Sequence, residues 1–371
     1  MPDGELISVT INDGIRKFSE LGRHDNSNDD KSKYKKVCVG DIAYNSMRMW
    51  QGASGYSPYV GIVSPAYTVL SPNSGVNSKC LAYQFKLPGM IHTFQINSQG
   101  ITSDNWNLKY PALSEIKIFV STDEEEQAKI AEYFENFDRL ITFHQQKITL
   151  LTKLKKAMLE KMFPKKGTVI PEFRFNGFAN AWEPRKLGDI ASSFEYGLNA
   201  VAKEYDGENK YIRITDIDDN THEFLTDNLT SPDIDLTGAD NYKLTEGDIL
   251  FARTGASVGK SYIYRNSDGL VYYAGFLIRA KTKEEYDAEF VFQNTLTDRY
   301  NKYIAVTSQR SGQPGVNAQE YAEFEIEVPK KEEQTKIGTY FRNIDYLITL
   351  HQRKLDMLKK LKSACLSEMF I

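Results

Sequence analysis

Polar side chains gathered in glycine-rich loops are the residues of this chain best placed to do chemistry. One stretch holds Asn45, Arg48 and Gln51 within seven residues, followed by the flexible Gly52 to Gly55. Another holds Arg253, Thr254, Ser257 and Lys260, and a third holds Arg310 and Gln313. Guanidinium and amide groups pair with the edges of nucleobases, and Lys, Ser and Thr hold phosphates. Neither act breaks a covalent bond. The basic run Lys31 to Lys36 and the segment Gln95 to Gly100 offer the same chemistry.

Four groups that look catalytic do not complete. Gly255-Ala-Ser-Val-Gly-Lys-Ser261 has three residues between its glycines, whereas a phosphate-binding P-loop needs four, and its flanks read as strands on both sides. The acidic run Asp216 to Asp219 reads as a solvated turn without a partner motif. His144 and His351 occupy matching places in two long helices and read as a polar layer that fixes register, not as a metal site. The lysine-rich helix ends read as a solvated face. The expectation is therefore no metal and no cofactor.

The elements that position these loops are set by an internal repeat. Residues Glu125 to Phe163 and Glu332 to Phe370 align without a gap 207 residues apart, with about 23 of 39 positions identical. A repeat this long implies two similar modules. Its apolar stripe has coiled-coil spacing: Ile130, Phe134, Ile141, His144 and Leu151 in the first copy, and Ile337, Phe341, Ile348, His351 and Leu358 in the second. A further row, Leu140, Leu150 and Leu154 with Leu347, Met357 and Leu361, is expected to widen the seam. The stripes continue at matching places through Lys155, Met158 and Met162 and through Lys362, Cys365 and Met369. About 40 residues span roughly 60 Å of helix, so the two are expected to pair as spacers. Gly40-Asp41 and Gly247-Asp248 are also 207 apart, each leading into a strand read as ending at an arginine, Arg48 and Arg253. Strands are further expected over 61–70, 81–85, 116–120, 210–214, 248–252, 270–273 and 324–328.

This gives an α+β chain: two β-rich domains separated by two long antiparallel helices in a coiled coil, with pseudo-two-fold internal symmetry. The expected boundaries are 1–121, a first module; 122–163, a first helix; 164–180, a connector broken at Pro164; 181–328, a second module; and 329–371, a second helix. The net charge of −4 excludes a chain-wide basic surface but not a local basic groove. Three cysteines without CxxC spacing exclude a disulfide framework. No apolar run reaches membrane-spanning length, and residues 1–14 lack a signal-peptide pattern, so a cytoplasmic, membrane-free protein is expected.

The duplicated helix pattern is similar to that of the DNA-specificity subunits of type I restriction–modification systems. Trp182 to Asp189, Arg253 to Lys260, Ser308 to Gly315 and the connector Pro171 to Phe178 match as well. The resemblance implies that each module is a target-recognition domain reading one half of a bipartite double-stranded DNA site. It implies helices that set the gap and dock two adenine-N6 methyltransferase subunits, joined by restriction (motor-nuclease) subunits. Under it Asn45, Arg48, Gln51, Arg253, Thr254, Lys260, Arg310 and Gln313 become DNA-contact candidates. The chain carries no methyltransferase tetrad, helicase loop or nuclease carboxylate set, so it is expected to be non-catalytic. The first module is expected to lack an opening segment like Trp182 to Glu195. The alternative reading is a coiled-coil assembly scaffold that binds proteins only.

Overall fold

The computed structural model describes residues 4–11, 14–25, 27, 29–309 and 312–370. Arg310 lies outside them. The chain divides into two compact units: residues 1–144 with 354–371, and residues 145–353.

In the first unit a three-stranded antiparallel sheet is built from β1 (Ile42–Asn45), β2 (Ser54–Tyr56) and β3 (Tyr67–Leu70), with β1 in the centre. Ile42, Tyr44 and Met49 pack beneath it against Phe85, Phe94 and Leu108. A short helix α1 (Ser78–Gln84) follows, and then the long helix α2 (Glu124–Met162), which begins in this unit. The Asp123 carboxylate opens α2 by accepting from the Glu125 amide at 2.8 Å.

The second unit repeats this plan. Its four-stranded sheet holds β4 (Ala191–Tyr196), β5 (Ile249–Ala252), β6 (Ser261–Ile263) and β7 (Leu277–Thr282) in the order β6-β5-β7-β4. The strands β5 and β6 lie 207 residues after β1 and β2, and β7 begins 210 residues after β3. A short helix α3 (Ala288–Asn294) then leads toward the long helix α4 (Lys331–Met369). Trp182, Phe290 and Phe341 join Leu159 and Met162 of α2, and Phe163 just after it, in one core.

The long helices run antiparallel within each unit. In the first, Tyr133 meets Cys365 at 3.5 Å and Asp138 meets Lys362 at 2.5 Å, so residue numbers rise on one helix as they fall on the other. In the second, Lys155 meets Asp345 at 2.6 Å, and the Phe163 and Phe341 rings lie 5.8 Å apart. Phe134, Ile337 and Phe341 are almost fully buried, Ile348 is buried, and Ile130, Ile141, Leu151 and Leu358 are half-buried.

Four expectations are corrected. The row Leu140, Leu150, Leu154, Leu347, Met357 and Leu361 does not widen the seam but is exposed, Leu150 by 60%. Each helix buries the stripe that faces its partner and its module, and the flanking row is left in solvent. Residues 81–84 belong to helix α1 and Phe85 ends it, because the Asn77 side chain caps the helix by accepting from the Cys80 amide at 3.1 Å. Residues 116–120 form no strand, and Phe119 is 88% exposed. The run 61–70 is two strands, Gly61–Val63 and β3, broken at Pro65 and paired to different partners.

Candidate nucleic-acid interface

The candidate loops lie at the ends of the repeated central strands. All four residues of β5 are buried, so the chain first regains solvent at Arg253. The Arg253 amide donates to the Phe276 carbonyl at 3.0 Å, and its carbonyl accepts from the Val316 amide at 2.9 Å. Gly255 takes φ +72° and donates its amide to the Pro314 carbonyl at 3.0 Å. Thr254 bridges to Gly315, and the Gln313 side-chain nitrogen lies 3.0 Å from where a Cβ on Gly255 would stand. The structure thus brings Arg253, Thr254 and Gln313 together on two cross-linked loops.

Arg253 is held by rings. Its guanidinium carbon lies 5.1 Å from the centre of Tyr196 and 5.9 Å from that of Phe276. Both rings are exposed, and the Arg253 Nε is buried without a hydrogen-bond partner among the described residues. Tyr196 and Phe276 were missed in the sequence. They sit on β4 and before β7, far from Arg253 in the chain, and only strand pairing unites them.

Lys260 lies on the far side of the same turn. Its ammonium bonds the Ile217 carbonyl at 2.9 Å and pairs with Asp219. The turn is welded to the module by two tyrosines. Tyr321 donates to the Ala252 carbonyl at 2.7 Å and accepts from the Gly259 amide at 3.1 Å, and Tyr300 donates to the Gly259 carbonyl at 2.8 Å. Gly259, at φ +85°, admits no side chain, since a Cβ there would come within 2.5 Å of Ile304. Between strands on both sides, this turn is a hairpin and not a phosphate loop. The Asp218 carboxylate caps its own turn through the Asn220 and Thr221 amides at 2.9 and 2.7 Å.

In the first unit β1 ends at Asn45, and Ser46 takes the place of Arg253. The Ser46 carbonyl accepts from the Leu108 amide at 2.8 Å and its amide faces the Ala66 carbonyl, the same ladder as at Arg253. Arg48 lies two residues further on, exposed, at the tip of a turn that Asn45 closes by accepting from the Met47 amide at 3.1 Å. Gln51 is half-buried in the same turn. The Trp50 and Trp106 rings, 5.2 Å apart edge to face, brace the turn. Lys35 of the basic run donates to the Tyr67 carbonyl at 2.5 Å.

Each module is anchored to its long helix by the same device. Gln127 of α2 accepts from the Asn77 amide at 2.7 Å, and Gln334 of α4 accepts from the Asp287 amide at 3.0 Å. Asn77 and Asp287 cap the short helices. Three turns further in, an aspartate joins three elements. Asp138 accepts from the Tyr83 hydroxyl of α1 at 2.7 Å and from Lys362 of α4. Asp345 accepts from Gln293 of α3 at 2.9 Å and from Lys155 of α2. Burial, helped by the Asp138 charge, pushes the Tyr83 hydroxyl well above the usual phenol range, so it stays protonated and donates. Asp138 and Asp345 are identical across the repeat, the one signal that could have found them. His144 is buried against Phe143, and His351 is half-buried. No cluster of three metal-ligating side chains exists among the described residues, nor a helix long and apolar enough to cross a membrane.

Residues 20–153 and 180–360 match the family model described as "Type I restriction modification DNA specificity domain". The chain is 24% identical over 364 residues to the type I restriction enzyme MjaVIII specificity subunit of Methanocaldococcus jannaschii, covering 89% of this chain and 80% of that protein. Its fold is similar to the crystal structure of a type I restriction–modification S subunit from M. genitalium. That similarity has a TM-score of 0.69 at 16% identity and covers 100% of this chain and 90% of that one.

Proposed function

Because the chain belongs to the family of type I restriction–modification DNA-specificity subunits, we propose that it supplies a bipartite DNA address to enzymes that lack one. It is the non-catalytic, sequence-specific member of the complex. The module within 1–121 reads one half of a gapped site, and the module within 181–328 reads the other. The connector 164–180 joins the first spacer helix, 122–163, to the second module, and the second spacer helix is 329–371. The reading rests on one observation above all. The same sheet, short helix and aspartate junction occur twice, while the residues at the sheet ends differ, Ser46 in one and Arg253 in the other. A conserved frame with divergent tips fits two targets held at one spacing.

Asn45, Arg48 and Gln51 are proposed as contacts of the first module, and Arg253, Thr254, Lys260, Arg310 and Gln313 as contacts of the second. Lys260 would have to leave Asp219 to reach a phosphate. The partners follow from the family: double-stranded DNA, methyltransferase subunits and restriction subunits, all in the cytoplasm. Leu140, Met357 and Leu361 in the first unit, and Leu150, Leu154 and Leu347 in the second, are proposed as the positions on which methyltransferase subunits dock, since they are apolar and exposed.

The test is a base-resolution map of N6-methyladenine in the source genome, with and without this gene. Loss of one gapped motif on deletion establishes the role and names both half-sites. An unchanged map, with no salt-dependent DNA affinity in the complex, would leave the protein-only scaffold.

A further inference from the structure

We infer that Arg253 reads a guanine in the half-site of the second module, and that Tyr196 and Phe276 are the positioning residues that aim it. The inference rests on the DNA-address reading above and adds the base class, the reading atom pair and the two rings that hold it.

The argument begins with what Arg253 lacks. Other half-buried or buried arginines of the unit are structural, each matched to a carboxylate: Arg174 with Glu333, Arg213 with Asp216, Arg265 with Glu289, Arg279 with Asp248 and Glu195, and Arg299 with Glu327. Arg253 has no carboxylate partner among the described residues. Arg253 is half-exposed and its Nε is buried without a hydrogen-bond partner, so no carboxylate of the module competes with a ligand for this cation. Here two ring faces hold the cation at 5.1 and 5.9 Å, geometry suited to cation–π attraction.

The mounting is rigid as well. The backbone of Arg253 is bonded on both sides, to Phe276 and to Val316, so the side chain starts from a fixed ladder position. With its Nε buried and its carbon over two rings, the terminal N–H groups of Arg253 are the donors left to meet a ligand. An edge-on guanidinium presents two parallel N–H donors, which match the O6 and N7 acceptors that guanine alone shows in the major groove. A phosphate contact needs no such clamp, and exposed apolar rings suit a base edge better than a hydrated phosphate. In the first unit Ser46 and Ala66 stand at the places of Arg253 and Phe276, so the device belongs to one half-site only.

The test uses the complete complex with its methyltransferase subunits. Duplexes carrying the mapped motif are made with 7-deazaguanine, which lacks N7, at each guanine in turn. Binding is measured for the wild type, Arg253→Met, Phe276→Ala and Phe276→Tyr. The expected result is a loss of roughly 10- to 100-fold at a single guanine, within one half-site. That loss should vanish in Arg253→Met, which has no donor to offer N7, shrink in Phe276→Ala and return in Phe276→Tyr. Genome maps of the variants should keep the other half-site intact, which also shows that they fold. Wild-type binding indifferent to 7-deazaguanine at every position overturns the inference while leaving the DNA-address reading in place. So does a uniform loss across sequences in Arg253→Met with a salt slope lowered by about one, the mark of a phosphate contact. A wild-type map without any gapped motif overturns both.

Discussion

Replacing Asp345 by alanine removes the acceptor on which three elements of the second unit converge. Lys155, with 13% of its side chain exposed, would then keep its charge without its 2.6 Å partner. Gln293 would lose one of two acceptors but keep Glu289 at 3.0 Å. Breaking a largely buried pair by deleting one member costs about 3 kcal/mol, most of it from the stranded charge. The same change at Asp138 should cost about 1 kcal/mol, because that carboxylate is 45% exposed and water screens its pair with Lys362. The repeat thus predicts a chemically identical substitution with unequal outcomes. Urea unfolding would be followed by the fluorescence of Trp182, buried in the second core, in a chain whose Trp50 and Trp106 are phenylalanine; the converse chain reports the first unit. Adding Lys155→Met to Asp345→Ala should recover about half of the loss, because no charge is then stranded. Equal losses in the two units, or no recovery in the double variant, would refute the reasoning.

Three further outcomes follow from the structure. Burial pushes the Glu223 carboxyl above its ordinary range although Thr349 donates to it at 2.5 Å. An acid with a raised folded-state pKa adds stability at low pH and loses it as pH rises through that pKa. Glu223→Gln should therefore stabilise the second unit at neutral pH, and the advantage should disappear as the medium is acidified; a pH series of urea midpoints checks this. Leu150→Glu changes an exposed side chain and should move the unfolding free energy by no more than about 0.5 kcal/mol. It should nonetheless weaken co-purification of the methyltransferase subunits at least tenfold; unchanged assembly would remove that face from the proposal. Inserting one helical turn of about 5.4 Å into both long helices should widen the methylated motif's gap by one or two base pairs, as base pairs stack about 3.4 Å apart. A gap of the original length would end the ruler idea.

The helices and the repeat were legible because periodicity and self-similarity are local or linear signals. The strands at 210–212, 249–252, 271–273 and 325–328 were legible for the same reason. The segment 81–85 was not, because its β-like composition yields to a cap at Asn77 and to ties from Tyr83 and Lys79 onto the long helix. The outer leucine row misled because apolar residues spaced by whole helical turns read alike whether they meet a partner helix or solvent. The base-reading candidates were legible as types, Arg and Gln in glycine-rich loops. The strand end at Arg48 was misplaced by two residues, because only the ladder through Leu108 and Ala66 shows that Ser46 holds the register of Arg253. Tyr196 and Phe276 carry no linear signal at all, since 57 and 23 residues separate them from Arg253.

The first compact unit contains residues 1–144 together with 354–371. During synthesis its N-terminal part therefore leaves the ribosome long before the segment that completes it. The second unit is contiguous in the chain and can close first, whereas the first must wait with Phe134 and Asp138 uncovered until Phe370 and Lys362 arrive. Closing so long a loop delays the contact more than it weakens it. A message cut short before Lys354 would thus injure the module made first and spare the one made second.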